Sequence, residues 1–347
     1  MSPDRAQPVE IVGGGLAGLS LGLALARLRV PVTVWETHAY PRHRVCGEFI
    51  TGLDRGTVAR LGLAPLLAGA LRHRTVVWHE RGRPIHIQRL PRPALGLSRY
   101  ALDARLAEAL TAAGGELRTH CQVPLEPAPA GRVFAAGRRR RPSPWIGLKL
   151  HARGLRLAGD LELHLGDQAY VGLSAVEGGW INVCGLFRTR PMPSASPPLA
   201  GGGVLARWLE ASGLARLAER LRLAEIDPAS CCAVSALSFH RESPPPGRLC
   251  LGDSYAMPPP FTGNGMAMAL QSAALALDPL AAWARGEQSW PDTVRRVSAR
   301  LQRHFRTRLA SANALHSFLL EPRRQRWLSL AGRARLLPLR PLYHLTH

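Results

Sequence analysis

Six residues, Gly13-Gly14-Gly15-Leu16-Ala17-Gly18, limit this chain more than any other stretch. They follow a short apolar run, Val9 to Val12, and open a Leu- and Ala-rich segment that continues to Leu28. The first reads as a buried parallel strand and the second as a helix. In such a strand–turn–helix unit Gly13 permits the tight turn, Gly15 lets main-chain N–H groups approach a pyrophosphate, and Gly18 allows close helix–strand packing. Leu16 and Ala17 lie at the start of the helix, where unpaired N–H groups and the helix dipole favour negative charge. A second strand, Val32 to Trp35, ends in Glu36, 18 residues after Gly18, near where such folds place the acid that accepts bonds from a ribose hydroxyl. An NADP site more often calls for Arg there. Residues 11 to 30 are apolar enough to invite a signal-peptide or membrane-helix reading. The crowded glycines, Arg27, Arg29 and the lack of a small-residue cleavage site argue against it.

A second glycine-rich region lies far along the chain, Gly252-Asp253 followed by Pro260-Phe261-Thr262-Gly263-Asn264-Gly265. Together the two regions read as the ends of one extended nucleotide site. The formal net charge of +21 raises the question of nucleic acid. Lys149 is the single lysine among 45 basic residues, and the arginines spread along the whole chain, which marks a bias in residue usage and not a selected surface. No recognition-helix signature or aromatic–basic interleaving accompanies them, so no specific nucleic-acid partner is expected. Six cysteines show no C-x-x-C spacing, and 13 histidines show no convincing ligand spacing, so neither disulfides nor a metal site is expected. A cytoplasmic location follows as an expectation.

Patterning predicts one interleaved fold. Residues 53 to 71 look helical, 74 to 90 alternate as a hairpin about Glu80-Arg81-Gly82-Arg83, and Tyr100 to Ala113 returns to helical spacing. Strand-like runs follow at Ile146 to His151, Leu161 to Leu165, Ala169 to Leu173 and Trp180 to Leu186. Helix is expected over 203 to 223, strands near Ala233 to Ser238 and Leu249 to Leu251, and mainly helix after Gly263. The tail from Glu321 to His347 mixes Arg with Trp327, Leu328, Leu330 and Leu336, a pattern that serves core packing or peripheral membrane contact.

The segments Pro41-Arg42-His43-Arg44-Val45-Cys46-Gly47-Glu48-Phe49, Ser98-Arg99-Tyr100-Ala101-Leu102-Asp103, Gly252-Asp253-Ser254 and Pro260 to Met266 resemble the FAD-dependent monooxygenase and geranylgeranyl-reductase-like flavoprotein superfamily. The resemblance covers nearly the whole chain and implies a p-hydroxybenzoate-hydroxylase-like α/β fold. A Rossmann-type FAD-binding domain (1–73, 98–144 and 241–347, with a helical C-terminus) would interleave with an antiparallel-sheet substrate domain (74–97 and 145–240). It implies that Asp253 bonds the ribityl or pyrophosphate part of FAD, and that Pro260, Gly263, Asn264, Gly265 and Met266 pass along the isoalloxazine ring. Arg42 and Arg99 would contact the nucleotide. Cys46 and Glu48 are the catalytic candidates, shaping proton delivery near the flavin; the alternative for Cys46 is a small buried residue supporting a tight turn.

The chain departs from the family pattern at Phe134-Ala135-Ala136-Gly137-Arg138, where many members carry an Ala-Asp-Gly segment. The flavin-halogenase motif W-x-W-x-I-P is absent. The expected activity is an NAD(P)H-using monooxygenase, with NAD(P)H as transient electron donor, hydroxylating an aromatic or polyketide-like small molecule. The alternatives are a flavin-dependent reductase of an unsaturated isoprenoid or lipid-like substrate, or a flavin-binding protein without turnover. Oligomeric state is not legible in the sequence.

Overall fold

The computed structural model describes residues 6–138, 141–191, 201–239, 244, 245, 247–321, 323, 324, 327 and 330. The first half contains β1 (Val9–Val12), α1 (Leu16–Arg27), β2 (Val32–Trp35), β3 (Phe49–Ile50), α2 (Arg55–Leu61), β4 (Leu71–Glu80), β5 (Arg83–Gly96), α3 (Arg99–Ala112), β6 (Glu116–Arg118) and β7 (Arg132–Phe134). The second half contains β8 (Trp145–Arg153), β9 (Leu161–Gly166), β10 (Ala169–Ala175), β11 (Ile181–Arg188), α4 (Gly201–Ala211), α5 (Ala215–Arg222), β12 (Glu225–Val234), β13 (Leu249–Cys250), α6 (Gly265–Ala284) and α7 (Trp290–Leu320).

Two sheets organise these elements. The first has the order β13-β7-β1-β2-β6, with every pairing parallel. Helices α1 and α6 pack together beside it, and α1 is buried at every position from Leu16 to Ala26. That burial explains the unbroken apolar run of residues 16 to 26, which suits a central core helix. Helix α6 is long and apolar enough to cross a membrane, but its side chains from Met266 to Ala284 lie largely in the same core.

The second sheet has the order β12-β8-β11-β10-β9-β4-β5-β3 and is antiparallel except where β4 runs parallel to β9. Its register sorts the side chains by face, because alternate strand residues point to opposite sides. Leu148, Leu150, Val171, Leu173, Val183 and Phe187 face α4 and α5, whose buried residues include Leu205, Leu209, Leu217 and Leu221. The opposite face carries Lys149, His151, Ser174, Asn182 and Cys184 toward the 41–49 loop. A sheet with one apolar face and one polar, protein-covered face is a wall built to line a site.

Several sequence expectations shift. The helix expected over 53 to 71 is confined to α2, because Gly62 adopts φ 63° and stops it, and Leu71 already belongs to β4. The eight-stranded sheet therefore begins earlier than residue 74, recruiting Phe49–Ile50 and Leu71. The helix over 203 to 223 is two helices broken at Gly213, φ 74°. The strand expected near Ala233 to Ser238 is the end of β12, which starts at Glu225. Its polar first half hid it, and Ala236 leaves extended geometry with φ 55°. Of the tail, Trp327 and Leu330 are 73% and 60% exposed, which disfavours core packing for those two. The remaining apolar tail residues lie outside the described residues.

Candidate functional site

The loop from β1 to α1 shows why each glycine is required. Gly13 has φ 112°, and a side-chain carbon there would lie 2.4 Å from the Ala135 carbonyl. At Gly18 the added carbon would meet the Gly13 oxygen at 2.0 Å, so strand and helix touch there. Gly15 differs. Its backbone is extended, and a side-chain carbon would find only the Arg99 guanidinium, at 3.9 Å. Gly265, first residue of α6, is equally open, with Pro258 at 3.9 Å. Protein packing does not explain either glycine; a ligand pressed against both would. Leu16 and Ala17 are buried at the start of α1, so their main-chain N–H groups serve this loop and their side chains serve the core.

Cations and acids converge on the same space. Asp103 is fully buried and takes two bonds from Arg99, at 2.8 and 2.7 Å, while Arg44 Nε lies 3.2 Å away. Burial works against the Arg99 charge, but Asp103 holds its pKa above the ordinary value. Asp253 keeps solvent-accessible surface, and desolvation by the surrounding protein pushes its carboxyl up, against the pull of Arg99, Arg138 and Arg44. Cys46 is likewise enclosed yet partly accessible, and enclosure raises its thiol pKa, keeping it protonated.

At the end of β2, Glu36 accepts the Gly14 N–H at 2.9 Å and meets Arg42 and Arg44 at 3.2 and 3.3 Å. Burial alone would raise its pKa; Arg44 and Arg42, with bonds from Thr37 and His38, hold it down. Tyr40 closes the group by donating to the Gly14 carbonyl at 2.5 Å. The structure thus brings Glu36, Arg42 and Arg99 around the glycine loop. Arg44, Asp103 and Tyr40 join them, and the sequence reading had assigned none of these three. Arg42 and Arg44 alternate in an extended loop, which places both on one side and was the available signal.

The second glycine region leads into α6. Gly263 has φ 67°, and Phe49 packs where a side chain would stand. Asn264 and Met266 are buried, with Thr51 donating to the Asn264 side-chain oxygen at 3.3 Å, while Pro260 is exposed.

Glu48 is completely buried and adopts φ 54°. Its carboxylate accepts from the Arg99 main-chain N–H at 3.1 Å, His151 Nε2 at 2.5 Å and Lys149 Nζ at 3.3 Å. Burial alone would push its pKa up; the His151 hydrogen bond and the Lys149 charge hold it below the usual value. Asn182 donates to the Cys46 carbonyl and Ser174 to the Gly47 carbonyl, fixing the segment on the sheet. The sequence signals Cys46 and Glu48 but not Lys149 or His151, which only the register of β8 brings to them and to His43 of the same loop.

Among the described residues, two His/Glu groups place ligand atoms within 4.8 Å of one another, His43-Glu48-His151 and His79-Glu162-His164. Each already holds a cation, Lys149 on Glu48 at 3.3 Å and Arg220 on Glu162 at 3.0 Å. A separate cavity of about 570 Å³ lies between the end of the second sheet and α7, lined by Trp145, Gln168, Arg188, Phe239, Asn313 and His316. His316 stacks parallel to Phe261 of the 260–266 segment, with ring centroids 6.3 Å apart.

Residues 11–64 match the model of the NAD(P)-binding Rossmann-like domain family. Menaquinone reductase of Mycobacterium tuberculosis is 28% identical over 121 residues, a match that spans 34% of this chain and 30% of that protein. PqsL of Pseudomonas aeruginosa, solved in complex with 2-aminobenzoylacetate, superposes with a TM-score of 0.68 at 17% identity, covering 92% of this chain and 98% of that one. For p-nitrophenol 4-monooxygenase PnpA of Pseudomonas putida DLL-E4 the TM-score is 0.70 at 16% identity, over 97% and 99%. For a geranylgeranyl bacteriochlorophyll reductase-like protein of Thermoplasma acidophilum it is 0.73 at 15%, over 98% and 96%. This chain has the fold shared by these flavoprotein monooxygenases and reductase-like proteins, with a Rossmann-like sheet, a second sheet and C-terminal helices.

Proposed function

We propose that this chain is an FAD-dependent oxidoreductase of the monooxygenase type, taking electrons transiently from NAD(P)H and acting on an aromatic or polyketide-like small molecule. The observation that carries the reading is that Gly15, which no packing contact requires, stands 3.9 Å from the Arg99 guanidinium, whose charge also reaches Asp253. The donor set fits FAD. Gly15, Leu16 and Ala17 N–H groups with Arg99 suit a pyrophosphate, Glu36 a ribose, Asp253 the ribityl chain, and the start of α6 the ring. When bound, FAD supplies hydride acceptance and oxygen activation.

The protein's own residues bind, orient and enclose. Asp103 fixes Arg99 by a two-point bond, which settles the guanidinium plane. Positive N–H groups at the start of α6 favour negative charge on the ring edge nearest them. The polar face of the second sheet closes the cavity, excluding water where charge develops. The aromatic cavity at Trp145, Phe239 and His316 abuts Phe261 and offers a flat apolar substrate a path toward the ring.

A second reading, reduction of an unsaturated isoprenoid or lipid-like substrate, is favoured by the buried Glu48–Lys149–His151 group beside Cys46 and by the likeness to menaquinone reductase. The deciding experiment is anaerobic reduction of FAD-loaded protein by NADH or NADPH, followed by oxygen and a substrate panel. Oxygen consumption stoichiometric with product supports hydroxylation. Anaerobic saturation of a double bond supports reduction, and no reduction by either nicotinamide overturns both.

A further inference from the structure

Every basic position of this chain but one is arginine, and the exception, Lys149, is fully buried. A structural cation in so arginine-biased a sequence has 44 precedents for guanidinium. An ammonium differs in one chemical respect, since it can surrender a proton, whereas guanidinium remains charged at any pH a protein tolerates. Lys149 stands where that difference matters. Its Nζ lies 3.0 Å from His43 Nδ1 and 3.3 Å from Glu48 Oε1, on the cavity-facing side of β8.

The row continues in both directions. Outward, His43 stacks on Tyr100, with ring centroids 4.4 Å apart, and turns Nε2 toward Asp227 at 3.7 Å. Tyr100 is 40% exposed, and the Asp227 side chain is 27% exposed, so this end meets solvent. Inward, Glu48 bonds His151 at 2.5 Å and the Arg99 main chain at 3.1 Å, two residues beyond the cavity-lining Cys46. The other titratable or charged groups facing the row among the described residues are Cys184 and Cys232, paired with Lys149 across β11 and β12, together with Cys231, Cys46 and Arg42.

We propose that Lys149 is a positioning residue that relays protons from His43, at the solvent end, to Glu48, at the cofactor end of the site. The step balances without any oxidant or reductant. A Nζ–H bond of the Lys149 ammonium breaks and an O–H bond forms on Glu48 Oε1, turning a buried ion pair into a neutral pair. With the ring tautomer exchanged, the His43 Nδ1–H bond then breaks as an N–H bond forms on the Nζ amine, and Nε2, facing Asp227, takes the replacement proton from solvent. Burial first, then the Lys149 charge, hold His43 near pKa 4, so loss of that charge makes His43 the better proton acceptor at the moment it is required. The proposal rests on the flavoenzyme reading for its purpose, but not for its geometry.

A single lysine gives a single resonance when lysine alone is isotopically labelled, so the first arm of the test needs neither cofactor nor activity. The wild type, His43→Gln and Glu48→Gln are titrated with pH, and each substitution should move the midpoint of the lysine signal by about one pH unit or more, as expected for groups coupled at this distance. An unmoved midpoint in both variants overturns the relay. In the second arm, FAD-loaded Lys149→Arg should keep FAD affinity within about twofold and lose at least about tenfold in kcat at unchanged KM. Small amines added to Lys149→Ala should restore turnover in step with their basicity. Wild-type kcat in Lys149→Arg overturns the proposal. If Lys149→Arg fails to fold, the labelled-lysine titration still decides. If the titrations show coupling but the wild type lacks turnover, the flavoenzyme reading fails and the coupled row stands.

Discussion

Replacing Gly15 by Ala separates the needs of a ligand from those of the fold. The residue has φ −89° and ψ −172°, a conformation any residue adopts, and the new methyl group meets nothing closer than Arg99 Nη2 at 3.9 Å. Loss of glycine's freedom in the unfolded chain then stabilises the cofactor-free protein by about 0.4–1 kcal/mol. With an unfolding entropy of roughly 2.1 cal/mol/K per residue, a chain of this length gains at most about 1.5 °C in Tm. The same methyl group stands between the Gly15 main chain and an approaching pyrophosphate. Losing one charge-assisted hydrogen bond of about 1.5–3 kcal/mol weakens FAD binding roughly 10- to 100-fold. The contrast is Gly18→Ala, whose methyl carbon would fall 2.0 Å from the Gly13 oxygen and should cost about 1–3 kcal/mol of stability through strain. Thermal unfolding without cofactor and fluorescence titration with FAD measure the two effects. Unchanged FAD affinity in Gly15→Ala, or a Tm loss matching that of Gly18→Ala, refutes the reasoning.

Three further outcomes are expected. Asp103→Asn strips the buried carboxylate from Arg99, leaves Arg44 with Glu36 alone, and should cost about 3–5 kcal/mol in urea unfolding; a loss below about 1 kcal/mol contradicts it. Acid should destabilise the second sheet in two stages. Burial and the neighbouring His164 hold His79 at about 4, so its contribution is present above pH 6.5 and lost as pH falls toward 4. Burial alone would raise Glu162, but His164, the Ala158 main-chain N–H and Arg220 hold it at about 2, so its contribution is lost as pH falls from 4.5 toward 2. His79→Phe should flatten the first stage by up to about 1.4 kcal/mol per pH unit, read as unfolding free energy against pH, and an unchanged slope counts against it. Finally, exposed Trp327 and Leu330 favour a lipid contact for the tail. Binding to anionic vesicles should weaken in Trp327→Ser with Leu330→Ser, and co-sedimentation equal to the wild type removes that idea.

Much of the architecture was legible because its signals are local. Gly13, Gly18 and the apolar run through α1 announce a strand, a turn and a core helix within 20 residues, and polar–apolar alternation with glycine-containing turns along 161–186 announces sheet. Misreadings arose where local pattern and tertiary demand part. The Leu-rich 53–71 segment has helical composition, but Gly62 stops the helix and Leu71 pairs with Gly96 in the sheet. The polar first half of β12 lies at a sheet edge, where alternation with a core is not required.

The sequence by itself signalled the glycine loop, the acid at position 36 and the second glycine region through local backbone demands, and the Cys46–Glu48 segment through its family resemblance. Only the tertiary structure decided that Gly13 and Gly18 serve packing while Gly15 and Gly265 stand open. It alone joined Arg44 to Asp103, and Lys149 to His43 and Glu48, residues up to 106 apart in the chain. Such contacts depend on strand register and loop path. Register carries charge to a buried face only when something already buried there can pair with it, and no reading of neighbours along the chain contains that condition.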